Sequence, residues 1–259
     1  MNKKHENYKE LVMRLAKTDF KLRYHDSFLG YIWAILKPLL IFTVLNFVFS
    51  SIFNFKNSGT PLYSLELLTA LMLFNFFAEG TTAGMRSLIS KAQLVTKTYV
   101  PRWTIVVSST INSLFVFLMN LIVIILFFAA YGVLPSIGAI IIFLLFVVLL
   151  SNIVLAFSFL TATVFVRFRD LSMIWEVVVM ILMYISPVVY PLSLMPENLQ
   201  KIMLFNPLGF IIHFTKQALI SGHFATVSQI FVLIAVIFLF MGGSILWFNR
   251  SEKTIAEYM

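Results

Sequence analysis

The stretch from Lys21 to Leu40, KLRYHDSFLGYIWAILKPLL, begins as a charged segment and ends as continuous hydrocarbon. Gly30 stands at the change, and Lys37 and Pro38 follow just inside the apolar run. Proline lacks the amide hydrogen that an interior helical turn needs, so it fits the first turns of a span or a kink supported by neighbours. Lysine can leave its stem in hydrocarbon while its ammonium reaches back to polar head groups. The stretch reads as a corner where a chain on a membrane surface turns into the bilayer.

The composition around it agrees. Of 259 residues, 60% are hydrophobic and 12% charged, whereas a soluble domain is about half apolar and a quarter charged. In water that excess would stand out as large apolar patches, so the chain reads as an integral membrane protein. With no cysteine there is no disulfide and no thiolate metal site. His5, His25, His213 and His223 never take a metal-binding spacing such as H-E-x-x-H. No phosphate-binding loop of the form G-x-x-x-x-G-K-[ST] occurs, so any ATP hydrolysis belongs to another chain.

A helix needs roughly 20 apolar residues to cross a bilayer. Six segments qualify as spans, near 32–53, 65–85, 105–131, 138–165, 172–190 and 227–248. The second is weakened by Glu66, Asn75 and Glu79, and the fifth runs into Pro187 and Pro191. Positive side chains concentrate in alternate connections. They occupy the segment before span one, the link between spans two and three (Arg86, Lys91, Lys97, Arg102), the link between four and five (Arg167, Arg169) and the tail. Of the 19 Lys and Arg, only Lys56, Lys201 and Lys216 fall in the other loops. By the positive-inside rule both ends are cytoplasmic and the span number is even. Six fits, and the net charge of +8 needs no nucleic-acid partner to explain it.

Residues 1–30 form an amphipathic segment. Tyr8, Leu11, Val12, Leu15 and Leu22 fall on one stripe and Arg14, Lys17 and Lys21 on another. Such a helix is expected along the cytoplasmic surface, as an anchor or as the wall of an entrance for a lipid-attached substrate. From Ser186 to Ala225, Pro187, Pro191, Pro196 and Pro207 exclude one continuous helix, and the pieces 197–205 and 208–221 suit short helices at or just within the outer interface.

Glu79 and Glu176 are charges within spans and therefore functional candidates. Glu176 lies two turns from Arg169 and Asp170, a spacing that suits an interfacial ion pair. Gly80 and Gly84 have the G-x-x-x-G spacing of closely approaching helices. For Asn46, Asn75, Asn112, Asn120 and Asn152, hydrogen bonding between helices is the default expectation.

Four elements, in order, carry a family resemblance. Arg23, Tyr24, Leu29, Gly30, Trp33 and Pro38 match R-Y-x-x-S-x-L-G-x-x-W-x-x-x-x-P. The run from Ala92 to Arg102 matches A-Q-L-x-x-K-x-x-x-P-R, with Gln93, Leu94, Lys97 and Pro101 in register. Phe168, Arg169 and Asp170 match an F-R-D element, and Ser186-Pro187 with Asn206-Pro207 match late proline sites. Together they resemble the permease subunit of a type-2 ABC exporter, in the branch that exports polysaccharides, O-antigen and teichoic acids.

The resemblance implies an all-α protein in the cytoplasmic membrane, with residues 31–259 forming a six-span transmembrane domain. It implies a homodimer on two ATP-binding cassette subunits, which would bind ATP and Mg, with no cofactor in this chain. A coupling helix for the ATPase is implied near 87–99, drawing on Lys91, Ala92, Gln93, Leu94, Val95, Lys97, Pro101 and Arg102. Outer gate helices are implied near 191–222, shaped by Pro187, Pro191, Asn206 and Pro207. At the loop between spans four and five, Arg169 and Asp170 would brace the fold or touch the ATPase, with bracing the favoured role. The cargo would be a lipid-linked glycan, moved through a channel at the dimer interface. Two other classes remain open: a proton-coupled carrier using Glu79 and Glu176, and a membrane-bound enzyme of envelope glycan assembly with Asp170 and Glu176 at its interface.

Overall fold

The computed structural model describes residues 8–24, 28–52, 62–97 and 100–255. The beginning of the amphipathic segment, the side chain of Tyr24, and Thr98 and Tyr99 at the end of the expected coupling segment lie outside the described residues. Among the described residues the chain is all helical, with no strand.

Helix α1 (Tyr8–Tyr24) carries the amphipathic stripe. Val12 and Ala16 are buried, and the rings of Tyr8 and Phe20 meet Trp103 and Phe115. Equal steps along both chains mean that α1 runs lengthwise beside α5 for about 18 Å. The stripe thus packs against another helix, where α5 offers it aromatic partners. Leu22, assigned to the stripe, is exposed. Gly30 takes φ 49°, the left-handed conformation that suits glycine, and opens a 3₁₀ turn, Gly30–Ile32, that leads into α2 (Trp33–Phe47). A π turn, Val48–Ile52, extends α2.

Helices α3 (Tyr63–Ser90), α5 (Arg102–Ala130), α6 (Ile137–Arg167) and α10 (Val227–Ile255) are the long elements. Four segments are long and apolar enough to cross a membrane: Gly30–Ser50, Arg102–Ala130, Ile137–Arg167 and Val227–Glu252. The expected second span is α3, whose length suffices but whose charged and polar residues keep it out of that group. The expected fifth span is α7 (Leu171–Ile185), which stops five residues before the expected end at 190. Pro187 explains this, since proline disfavours helix in the residue before it and cannot donate a backbone bond.

The core is built on α3. Its two glycines supply the closest approach in the bundle interior: a Cβ on Gly84 would lie 1.9 Å from Ser158 Oγ, and one on Gly80 would lie 2.6 Å from Val154 Cγ1. The G-x-x-x-G spacing therefore marks the α3–α6 contact. On the other flanks, Trp175 of α7 stacks on Phe157 at 4.0 Å and donates to Thr81 Oγ1 at 3.2 Å. Helix α10 packs on α6, with Phe248 against Phe159 and Trp247 Nε1 donating to Thr163 Oγ1.

The segment between α7 and α10 folds as a 3₁₀ turn (Leu192–Leu194), α8 (Glu197–Phe205), α9 (Pro207–Lys216) and a π turn (Gln217–Ser221). Asn206 caps α9 by accepting from Leu208 N at 3.1 Å, and Pro207 occupies the first helical position, where its missing donor costs nothing. A Cβ on Gly209 would lie 2.5 Å from Met203 O, so α8 and α9 form a tight hairpin. Phe210 packs on Phe146, nine residues into α6, which puts α9 about 14 Å inside the bundle.

Candidate functional site

A cleft of about 860 Å³ opens between the end of α1 and helices α2, α3 and α5. Glu79 and Arg86 stand two turns apart on α3 and both line it. Arg23, at the end of α1, crosses to Glu79 with Nη2 2.7 Å from Oε1. The pair is about one-third exposed on each side. It ties the amphipathic segment to α3 and accounts for one of the two span carboxylates.

Pro38 shapes the next wall. Lacking an amide hydrogen, it leaves Ala34 O without its usual helical donor. Asn120 of α5 supplies one, donating Nδ2 to Ala34 O at 3.2 Å and to Val116 O at 2.9 Å. The kink-prone residue is thus held by a neighbouring helix, and both Pro38 and Asn120 line the cleft. Trp33 lies at its side. Asn75 and Asn112 also line it, and the side-chain oxygens of Asn112 and Asn120 are buried without a partner among the described residues.

Other expectations for the amides are met unevenly. Asn46 Oδ1 accepts from Ser64 Oγ at 2.8 Å and links α2 to α3. Asn152 donates within its own helix, to Val148 O.

The segment before Pro101 divides in two. Residues 87–90 finish α3, and a separate short helix α4 (Ala92–Lys97) follows a break at Lys91. On α4 Val95 is buried with Leu88, Ile105 and Phe248, Leu94 is partly buried, and Gln93 and Lys97 face outward. Lys91 does not join that outward face. Its ammonium lies 2.5 Å from Asp19 Oδ2 of α1 and 3.1 Å from Ser108 Oγ of α5. Arg102 donates to the backbone carbonyl of Glu252 and joins the start of α5 to the end of α10.

Phe168, Arg169 and Asp170 form an exposed turn between α6 and α7. Among the described residues, the Arg169 and Asp170 side chains make no ion pair, and Glu176 is exposed without the expected one.

Sequence reasoning missed a buried group at the other end of the bundle. Lys216 on α9 is 4% exposed and donates to Pro187 O at 2.7 Å. Glu66 on α3 is the charge that acts on it, and Tyr63 OH donates to Val189 O close by. These bonds fasten the turn at 186–191 between α3 and α9. A lysine within an apolar stretch is the available signal, although its position reads as a loop charge. Among the described residues there is no cluster of His, Asp and Glu able to hold a metal ion.

Comparison with known proteins fits this architecture. Residues 10–220 match the model of a family described as ABC-2 type transporter. Two proteins of Klebsiella pneumoniae named O-antigen export system permease protein RfbA are each 28% identical over 254 residues, 96% of this chain and 95% of theirs. A protein of the same name from Myxococcus xanthus is 27% identical over 203 residues, 78% of this chain and 76% of its own. A helical membrane bundle that matches this family over most of its length belongs to it: the chain is a permease subunit of an ABC-2 type transporter, a kind of subunit that works with a separate ATP-binding partner.

Proposed function

We propose that the chain is the membrane subunit of an ATP-driven exporter that moves a lipid-linked polysaccharide out across the cytoplasmic membrane. The observation that carries this reading is the near full-length similarity to permeases named for O-antigen export. In this reading the chain crosses the bilayer six times with both ends cytoplasmic, α3 and α7 joining the four apolar segments. Helix α3 crosses without being apolar because it is covered by protein. Helix α7 crosses together with the turn that follows it.

Helix lengths support a bundle that projects from the bilayer at its basic end. The 29 residues of α5 span about 44 Å, against about 30 Å of hydrocarbon. Its second to fourth turns hold Ser108, Ser109, Thr110, Asn112 and Ser113, all buried inside the bundle. Two copies would enclose a channel, each bearing on one ATP-binding cassette subunit that binds ATP and Mg. Helix α4 would meet that subunit through Gln93 and Lys97, and α8 and α9 would close the outer end. A passage for glycans needs aromatic faces and neutral amides more than fixed charge. The cleft offers Trp33, Asn75 and Asn112 for that role, beside the charged Arg23, Lys37, Glu79 and Arg86 at its walls.

The carrier and enzyme readings gain no support. Glu79 is engaged by Arg23, and Glu176 is exposed on α7. The test is reconstitution of the chain with its ATP-binding subunit in vesicles loaded with a lipid-linked glycan. Translocation is expected to require ATP, and the double substitution Gln93→Ala and Lys97→Ala is expected to abolish it while ATP hydrolysis continues. Transport that follows a proton gradient without ATP would replace this reading with the carrier.

A further inference from the structure

The turn at 186–191 is folded inward, with Val188 and Val189 only 1% and 2% exposed, and three side chains hold it. Tyr63 of α3 donates to Val189 O at 2.5 Å. Asn206, at the start of α9, donates to Ser186 Oγ at 3.3 Å. Lys216, at the end of α9, donates to Pro187 O at 2.7 Å. The first two groups are neutral and the third is an ammonium. An ammonium carries three donors. Among the described residues Lys216 uses one of them, on a carbonyl that has no charge to balance it. A buried cation without an opposite charge in contact is unfavourable.

The opposite charge is near but not in contact. Glu66 on α3 and Lys216 act on each other electrostatically. Among the described residues no ion pair joins them, and the Glu66 carboxylate has no hydrogen-bond partner. Other polar groups beside them in the chain are also unmet. Thr69, one turn after Glu66, and Thr215, just before Lys216, each bury a hydroxyl without a partner among the described residues. Buried polar groups left unmet in a native packing call for an explanation. Lys216 is also the last residue of α9, and the turn that follows it, Gln217–Ser221, has the wider π winding. Its four-carbon stem is flexible, at a place where the helix itself changes register.

We propose that Lys216 is a two-position latch. On Pro187 O, as in this structure, it ties the end of α7 to α9 and keeps the 186–191 turn folded in. On the Glu66 carboxylate it gains a charge-assisted bond and lets the turn go. Carbonyl and carboxylate thus compete for one ammonium, and an element with two such arrangements needs only a modest bias to change its population. The proposal rests on the exporter reading for what the latch closes, namely the outer end covered by α8 and α9. The competition itself belongs to the isolated chain.

The chain contains no cysteine, so Val188→Cys places a single thiol in the turn. Its rate of reaction with a water-soluble maleimide, in the full chain in detergent, reads how often the turn opens. Glu66→Gln removes the competitor and is expected to slow labelling about fivefold or more. A carboxylate that only steadied the lysine would do the opposite, since its loss would leave the tie weaker and the turn more open. Lys216→Met removes the tie and is expected to speed labelling about tenfold or more. In that background Glu66→Gln is expected to have no further effect. Unchanged or faster labelling in Glu66→Gln overturns the proposal, and so does a full Glu66→Gln effect in a chain without Lys216. Should Lys216→Met fail to fold, the sign of the Glu66→Gln effect still decides, because glutamine keeps the shape of a half-buried glutamate. A chain that labels as expected yet moves no glycan with its ATP-binding subunit counts against the exporter reading and leaves the latch standing. Export by a chain whose labelling ignores Glu66 does the reverse.

Discussion

Helices α3 and α10 have nearly the same length, 28 and 29 residues, and opposite surroundings. Helix α3 carries Glu66, Asn75, Glu79 and Arg86, yet most of its side chains are buried. Helix α10 is an almost unbroken apolar run, yet Phe231, Phe238, Leu239 and Leu246 are among its many exposed residues. In water the more apolar helix would take the centre. In lipid the surroundings are as apolar as leucine, so burial follows close packing and polar bonding instead. Helix α3 offers both: Gly80 and Gly84 against α6, Thr81 to Trp175 of α7, Ser64 to Asn46 of α2 and Glu79 to Arg23 of α1. Helix α10 offers fewer such groups and is left at the rim.

Enlarging the helical glycines is the strongest way to break the comparison. Gly84→Leu forces α3 away from Ser158 and is expected to cost about 3 kcal/mol or more, read as loss of the monodisperse peak on size-exclusion chromatography. Gly243→Leu on α10, where an added Cβ meets nothing within 4 Å, is expected to keep the peak. Equal loss at both positions would show that the model of a packed centre and a free rim is mistaken.

A smaller effect is expected from the amide behind Pro38. Asn120→Leu leaves Ala34 O without its donor and is expected to lower stability by about 1–3 kcal/mol. Asn152→Leu, which loses only a bond to Val148 O within α6 itself, is expected to change it by about 0.5 kcal/mol or less. Thermal midpoints in detergent measure both. Adding Pro38→Ala to Asn120→Leu is expected to recover part of the loss, because alanine brings back the amide that Ala34 O lacks. No recovery would remove the link between the two residues.

The smallest contrast uses two tryptophans that each donate to a threonine. Trp175→Phe at the buried α3–α7 contact is expected to lower stability by about 1 kcal/mol. Trp247→Phe, at a half-exposed site on α10, is expected to cost a few tenths of that, about 0.3 kcal/mol. A reversed order would mean that the rim is held more firmly than the centre.

The helices themselves were legible in the sequence, and so was the close approach at Gly80 and Gly84. Proline chemistry placed the α8–α9 hairpin, since Asn206-Pro207 is a helix start whatever surrounds it. The centre of the bundle was not legible. Hydropathy ranks segments by suitability for lipid, which demotes α3 for the very residues that place it inside. Arg23 and Glu79 are 56 residues apart, and no periodicity reports a pairing across that distance. Lys216 was misread for a related reason. A charge in an apolar loop looks solvated until the turn that accepts its hydrogen bond is seen folded over it. In the cleft, Pro38 was legible as a local problem, while its partner Asn120 was one amide among several.

Lys91 sits at the break between α3 and α4, and one ammonium there grips Asp19 and Ser108 on two further helices. Under the proposed coupling role, a motor that swung α4 could not move it as a loose pedal. The stroke would either drag α1 along, shifting the Arg23 side of the cleft, or tear the ammonium from its carboxylate. Work done on a six-residue helix would then be geared to the proposed entrance.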